Sequence, residues 1–336
     1  MHMADALTAP AVAGTMYAAS GIAAAYSIYK VRQEDDPKKV PVMGVMGAFV
    51  FAAQMINFTI PGTGSSGHLC GGLMLSAVLG PWAGFLTMIG VLLVQCLFFA
   101  DGGLLALGCN IWNMAFYGCF VGALLIWKPI MRNGADRKKI AIASILGSVI
   151  TLQMGAFAVV METLLSGVTE LPFRVFVAAM QPIHLVIGLV EGLITAAVLI
   201  FILDARPQLL WGIGKPARSD DGRHSLGKTV GILAAAAAVV GGVLSLFASA
   251  LPDGLEWAME RVAGTAELTA EGGAYAAAES VQNAVSILPD YAFPGSESAF
   301  GTTVSGLAGA AMVAGICIVI ALAFRFFRSR RKEQTV

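Results

Sequence analysis

Runs of about twenty predominantly apolar residues constrain this chain more than any other feature, because a helix needs about 20 such residues to cross a bilayer core of ~30 Å. They fall near 9–29, 40–60, 82–100, 111–127, 140–164, 180–203, 230–250 and 304–324. A further stretch, 68–80, is short and is bounded by the Gly-rich run before His68 and by Gly80-Pro81. It reads as a short or tilted helix and brings the crossings to nine. Lipid offers no partner to an open main chain, so the predicted class is an all-α polytopic membrane protein. Only 12% of the 336 residues are charged, against roughly a quarter in soluble domains, which excludes a soluble enzyme. The five cysteines (Cys70, Cys96, Cys109, Cys119, Cys317) form no CxxC pair and lie mostly in apolar segments. They indicate neither a disulfide framework nor a zinc cluster.

Lys+Arg and Asp+Glu balance at 21 each, so no global charge favours nucleic acid; what matters is where the charges sit. Basic residues collect at Lys30, Arg32, Lys38 and Lys39; at Lys128, Arg132, Arg137, Lys138 and Lys139; at Arg206, Lys215, Arg218, Arg223 and Lys228; and at Arg325, Arg328, Arg330, Arg331 and Lys332. With nine crossings all four groups share one face, and only Arg174 and Arg261 fall elsewhere. The positive-inside rule then places the N-terminus outside and the C-terminus in the cytoplasm. Met1-His2-Met3-Ala4-Asp5 carries no positively charged n-region, so the N-terminus is expected to be retained, with its amine at the outer surface.

Between the last two spans, residues 252–302 hold eight acids (Asp253, Glu256, Glu260, Glu267, Glu271, Glu279, Asp290, Glu297) and one base. Leu255 to Val262 and Ala274 to Leu288 are predicted as amphipathic helices and Pro289 to Ser298 as loop. The predicted organisation is a seven-span bundle over 1–203, a basic linker over 204–228, and a two-span hairpin over 229–336 carrying this acidic extracytoplasmic loop. Two motif matches fail on context. Gly222 to Thr229 fits the phosphate-loop pattern GxxxxGK[ST], but it runs into a membrane span with no sheet to hold a nucleotide. Gly62 to Gly67 fits GxGxxG, yet it joins two membrane segments rather than a strand to a helix. It reads as a tight, irregular loop that lets another backbone come close, and His68 follows it.

Of four histidines, His2 and His68 map to the outer side. A chain beginning Met1-His2 can offer one ion the terminal amine, the deprotonated amide nitrogen of His2 and the ring nitrogen of the same residue, closing two adjacent chelate rings. His68 would complete a plane of four nitrogens, a geometry suited to Ni(II) or Cu(II) rather than zinc or magnesium. The plainer reading is a surface histidine and a loop histidine that only make hydrogen bonds. Met3 and Met16 are soft neighbours or ordinary packing. Within the spans, Glu162, His184 and Glu191 form either a proton relay or paired polar groups that stabilise the bundle interior. His184 and Glu191 are seven residues apart and share one helix face. Gln54, Asn57, Asn110 and Asn113 line the same polar interior. Gly44, Ala48 and Ala52 follow a small-xxx-small repeat that permits close approach of another helix.

The Met1-His2 start, the Gly62–Gly67 loop with His68, Gly71-Gly72-Leu73, Leu79-Gly80-Pro81-Trp82, Leu97 to Gly103, Leu107 to Asn110 and His184 to Gly192 together resemble a known family. It is the CbiM/NikM family, the substrate-binding membrane components of energy-coupling-factor importers for nickel and cobalt. Leu251-Pro252-Asp253-Gly254-Leu255-Glu256 resembles the PDGLE module of the accessory N subunit, here joined to the M subunit. The resemblance implies a metal ligand set of Met1 (amine), His2 and His68, with Ni(II) or Co(II) as cargo rather than resident cofactor. It implies a transmembrane coupling subunit and a pair of cytoplasmic ATPases as partners, no enzyme activity in this chain, and a place in the cytoplasmic membrane of a prokaryote. The alternative is a stand-alone proton-coupled divalent metal carrier using Glu162, His184 and Glu191.

Overall fold

The computed structural model describes every residue except 35–38, 170, 215–223, 267, 296–297 and 334–336. Lys38, Lys215, Arg218, Arg223, Glu267, Glu297 and the Gly222 end of the phosphate-loop-like run lie outside the described residues. The helices are α1 (Pro10–Glu34), α2 (Lys39–Gln54), α3 (Gly72–Leu79), α4 (Pro81–Phe99) and α5, a continuous helix over Leu107–Met131 with a π-helical stretch at Ile111–Trp127. There follow α6 (Arg137–Ser166), α7 (Phe173–Ala205), α8 (Leu226–Gly242), α9 (Gly254–Ala263), α10 (Gly273–Val285) and α11 (Ala299–Glu333). Among the described residues seven helices are long and apolar enough to cross a membrane: α1, α4, α5, α6, α7, α8 with its trailing turn, and α11 from Phe300 to Ile320. The protein is an all-α polytopic membrane protein, a bundle followed by a C-terminal helical hairpin. Leu125, Leu165 and Phe247 are exposed on its outside, which hydrocarbon satisfies and water does not.

Two elements depart from the hydropathy reading. The apolar run at 40–60 is helical only to Gln54. Beyond it, strands β1 (Phe58–Ile60) and β2 (Ser65–Gly67) pair antiparallel, with Phe58 opposite Gly67 and Ile60 opposite Ser65. The Gly62–Gly67 run is therefore a short β-hairpin rather than an irregular loop, because Pro61-Gly62 breaks the helix and Gly62 and Gly64 take φ of 78° and 76°. The stretch at 68–80 yields only the eight residues of α3, about 12 Å of helix. All eight are buried, so α3 spends no surface on lipid and forms the axis of the bundle.

Small residues set the helix spacings. A Cβ on Gly118 of α5 would lie 2.9 Å from the Gly72 Cα, so α3 and α5 meet backbone to backbone. The Gly44/Ala48/Ala52 stripe of α2 turns to the C-terminal hairpin: a Cβ on Gly44 would lie 3.5 Å from the Ala314 carbonyl, and one on Gly241 would lie 3.2 Å from the Ala52 Cβ. The partner that this stripe admits is thus the chain's own α8 and α11. At the opposite end from His68, Trp211 donates its amide to Ala77 at 2.8 Å and accepts the Trp127 indole at 2.8 Å. Arg137 and Asp204 pair at 2.7 Å where the α6–α7 hairpin ends.

Candidate metal centre

The first eight residues turn back into the bundle, with Met3 and Leu7 fully buried. Apolar Met1, Met3 and Leu7 drive the insertion, and Asn110 of α5 satisfies the main chain that goes with them. Its amide oxygen accepts the Met3 amide at 2.7 Å and its amide nitrogen donates to the Met3 carbonyl at 3.1 Å. Gly103 donates to the same carbonyl at 2.9 Å, and Asp5 accepts the Ala106 amide at 2.9 Å. Gly102 sits at φ 79° with a hypothetical Cβ 3.2 Å from the His2 Cβ, so a side chain there would be strained and would crowd His2.

This insertion brings the terminal amine to 2.9 Å from Nε2 of His68. Two nitrogens held at right angles, each about 2 Å from one ion, lie roughly 2.8 Å apart. His68 donates from Nδ1 to its neighbour's carbonyl, Leu69, at 2.9 Å, which leaves the Nε2 lone pair to the amine. His68 is placed from behind by Glu191 of α7, whose carboxylate accepts the amides of Cys70 at 2.8 Å and Gly71 at 3.0 Å. Glu191 is thus a backbone clamp for the histidine loop.

The His2 ring stacks on the His68 ring with centroids 5.1 Å apart. Its nitrogens hydrogen-bond elsewhere, Nδ1 with Asp101 at 3.1 Å and Nε2 with Gln95 at 3.2 Å. Gln95 donates on to Gln54 at 2.8 Å, and Gln54 to the Cys70 carbonyl at 2.7 Å. The amine and His68 thus stand at the separation that two ligands of one ion would have, while the His2 ring is held by Asp101 and Gln95. Among the described residues no three His, Cys, Asp or Glu side chains cluster at ligand spacing, so a metal set here depends on main-chain nitrogen.

Asp253 arrives from the C-terminal hairpin. Its Oδ1 caps α9, accepting the amides of Leu255 at 2.7 Å and Glu256 at 2.9 Å, while its own amide donates to the Glu256 carboxylate at 2.9 Å. That reciprocal capping box fixes Asp253 at the helix start. The other oxygen, Oδ2, pairs with the Met1 amine and lies 3.6 Å from Nε2 of His68. Burial opposes charge on the amine, but the Asp253 carboxylate outweighs it and holds the ammonium above its usual range. Burial likewise pushes Asp253 up, and the ammonium and His68 together bring it well below the usual carboxylate range. Burial pushes His2 down to about 4 against the pull of Asp101.

The segment around Asp253 is laid on the site by further contacts. Ser66 of β2 donates its amide to Pro252 at 2.8 Å and its hydroxyl to Leu251 at 2.7 Å. Trp257 donates to the Thr63 carbonyl at 3.0 Å, Tyr275 to Thr8 at 3.1 Å, and Gln282 to Gly102 at 2.8 Å. Tyr291 stacks on Phe99 at 4.8 Å and donates to Asp101 at 2.5 Å, behind His2. Sequence reading places Asp253 only among the outer acids and does not single out Gln95 or Tyr291. The Asp253-x-x-Glu256 spacing signals a helix start, but no local pattern reports that its carboxylate meets a residue 252 positions away. Of the proposed relay residues, Glu162 accepts from Asn113 at 2.6 Å and His184 contacts the Met180 carbonyl at 2.7 Å. Among the described residues no hydrogen bond links Glu162, His184 and Glu191 to one another.

A membrane-embedded bundle with a buried amine-imidazole pair, covered by the segment that carries Asp253, has the architecture of a membrane transport component. A profile described as "Cobalt uptake substrate-specific transmembrane region" matches residues 2–209, and a PDGLE domain matches residues 227–326. The chain belongs to that CbiM family, with a PDGLE domain following. It is 34% identical over 331 residues to an Archaeoglobus fulgidus chain of the fused NikMN kind, covering 98% of this chain and 99% of the other. It is 30% identical to the fused nickel transport protein NikMN of Rhodobacter capsulatus over 67% of each chain. It is 31% identical to the cobalt transport protein CbiM of Sorangium cellulosum over 56% of this chain and 84% of that one. The crystal structure of a truncated transition metal transporter, 32% identical, superposes with a TM-score of 0.54 over 60% of this chain and 98% of its own.

Proposed function

We propose that this chain is the substrate-binding component of an ATP-driven energy-coupling-factor importer, which captures Ni(II) or Co(II) outside and passes it inward with partner subunits. The observation that carries the reading is the terminal amine standing 2.9 Å from Nε2 of His68. The amine, the amide and ring nitrogens of His2, and His68 supply four nitrogens in a plane. That set suits a d⁸ ion and ranks Ni(II) above Co(II). Copper would bind such ligands more tightly still, so the metal carried also depends on which metals are available. The relatives' nickel and cobalt names support the cargo.

The amine loses its proton and the His2 amide ionises as the ion binds, and Asp253 is displaced from the amine. Residues 1–203 form the metal-binding bundle, 204–228 a cytoplasmic linker, and 229–336 the two-span accessory domain. The N-terminus lies outside and the C-terminus in the cytoplasm of a prokaryotic cell. A separate transmembrane coupling subunit and two cytoplasmic ATPases supply the energy, and nothing in this chain turns over a substrate. The test is a Ni(II) titration of the full chain with an unmodified N-terminus, beside His2→Ala, His68→Ala and a version extended by one residue before Met1. Tight one-to-one binding lost in all three is expected; tight binding that survives the extension overturns the terminal chelate.

A further inference from the structure

The two edges of the His2 ring meet different partners. Nδ1 lies 3.1 Å from a carboxylate oxygen of Asp101, whose negative charge also favours a cation at that edge. Nε2 lies 3.2 Å from Oε1 of Gln95, a neutral amide. Gln95 is 1% exposed and Gln54 4%, and amides buried so far need their partners inside the protein. Gln95 stands near the end of α4, and Gln54 closes α2. Their side chains run in line from the His2 ring to the loop that bears His68. Nε2 of Gln95 donates to Oε1 of Gln54 at 2.8 Å, and Nε2 of Gln54 donates to the Cys70 carbonyl at 2.7 Å.

This chain has one direction, set at its far end. A carbonyl only accepts, so Gln54 turns its amide nitrogen to Cys70 and its oxygen to Gln95. Gln95 must then turn its nitrogen to Gln54 and its oxygen to His2. Reversing either amide would set two oxygens against each other. Nε2 of His2 is therefore a donor tied to Gln95, and Nδ1 is the nitrogen left for an ion. The chelate requires that same nitrogen, because only Nδ1 closes a ring through Cγ, Cβ and Cα to the amide nitrogen of the same residue. The main-chain carbonyl of Gln95 also accepts the Asp101 amide at 3.1 Å, so Gln95 touches the partner at the other edge as well.

The same stretch of backbone orients His68. The Leu69 carbonyl accepts from Nδ1 of His68 at 2.9 Å, and Glu191 accepts the Cys70 amide at 2.8 Å. The Leu69 carbonyl thus directs one imidazole, and the neighbouring Cys70 carbonyl directs the other through two glutamines. Glutamines that only satisfied each other would need no histidine at the end of the chain.

We propose that Gln95 and Gln54 are positioning residues of the metal centre: they hold the His2 ring with Nε2 protonated and Nδ1 turned to the ion, and they tie its orientation to the His68 loop. The inference rests on the chelate reading and deepens it. A ligating imidazole whose other nitrogen donates to a fixed acceptor keeps one tautomer and one orientation and gains basicity.

The test uses the full chain with native Met1 and ¹⁵N-labelled histidine, as wild type, Gln95→Leu, Gln54→Leu, the double variant, His2→Ala and the version extended by one residue before Met1. It reads Ni(II) affinity, the thermal transition and the ¹⁵N resonances of the loaded protein, which planar d⁸ nickel leaves visible because it is diamagnetic. The wild type should show one ring, absent in His2→Ala, with Nδ1 on the metal and a hydrogen-bonded proton on Nε2. In Gln95→Leu the affinity should fall about 10–100-fold, the range typical of partners behind a metal ligand, and the Nε2 proton should lose its hydrogen-bond shift. Gln54→Leu frees the Gln95 amide to turn and should act in the same direction. Because both glutamines act through one chain, the double variant should fall no further than Gln95→Leu. If Gln95→Leu does not fold, Gln54→Leu and the wild-type spectrum still decide. Metal on Nε2 of His2 in the wild type would overturn the proposal. So would glutamine variants that lower the thermal transition but leave the His2 resonances and the affinity as in the wild type. If the extended version loses tight binding while the glutamine variants change nothing, the chelate stands and the positioning chain falls. If the extended version binds as tightly as the wild type, the chelate reading itself has failed and the proposal with it.

Discussion

The Met1 amine is both the proposed first ligand and the partner of Asp253, and this double use makes metal capture a proton exchange. Burial lowers its pKa, but the Asp253 carboxylate outweighs that and holds it above the ordinary value. Below the amine's pKa, binding therefore releases one proton from the amine and one from the His2 amide. Ni(II) affinity should fall as pH falls, by about two decades per unit there and about one decade per unit above it. A series of competition titrations from pH 6 to 10 would show the break, and a slope that never exceeds one decade would mean that the amine is not a ligand. Asp253→Asn separates the carboxylate's two tasks, since asparagine caps a helix as well as aspartate but carries no charge. The break should then move to lower pH with α9 intact, which titration beside circular dichroism would register. The types of the proposed ligands were legible in Met1-His2 and His68. The counter-charge was not, because a carboxylate's meaning depends on what it faces.

At the level of elements, the site is held by parts that bind backbone to backbone. Glu191 spends both carboxylate oxygens on the Cys70 and Gly71 amides, so Glu191→Ala would leave two buried donors unpaired. Each such loss is worth about 1–3 kcal/mol. The thermal transition in detergent should drop and Ni(II) affinity should fall with it as His68 loses its placement; Glu191→Gln, which keeps one acceptor oxygen, should lie between. An unchanged affinity in Glu191→Ala would show that His68 is positioned by other contacts. The α3–α5 crossing makes a second prediction. Gly118→Val puts a branched side chain where even a Cβ would sit 2.9 Å from Gly72, and overpacking of this kind costs about 1–3 kcal/mol. A thermal transition equal to the wild type would mean that the helices can part freely. Helices α1, α4, α6, α7 and α11 were readable from apolar runs, since lipid imposes length and hydropathy on each separately. The β-hairpin and the eight-residue α3 were not, because protein rather than lipid surrounds them and fixes how they end.

For the whole molecule, the C-terminal hairpin is both a membrane neighbour of α2 and a cover over the proposed metal set, reaching the Met1 amine through Asp253 and Asp101 through Tyr291. Deleting residues 229–336 should leave a bundle that still binds Ni(II), since Met1, His2 and His68 all lie before the cut. The break in its pH profile should shift to lower pH as in Asp253→Asn, because the same carboxylate is gone. A profile identical to that of the full chain would show that the cover does not act on the amine. Sequence by itself determined that this is a helical membrane protein in two parts, and it pointed to main-chain nitrogen with His2 and His68 as metal donors. Those inferences rest on hydropathy, composition and short spacings, which act over one helix length or less. Only the tertiary structure decided that the N-terminus folds inward to His68, that Asp253 pairs with its amine, and that Glu191 serves as a clamp. Each of those contacts joins residues from separate elements, and packing of the assembled bundle, rather than any local preference, is what brings them together.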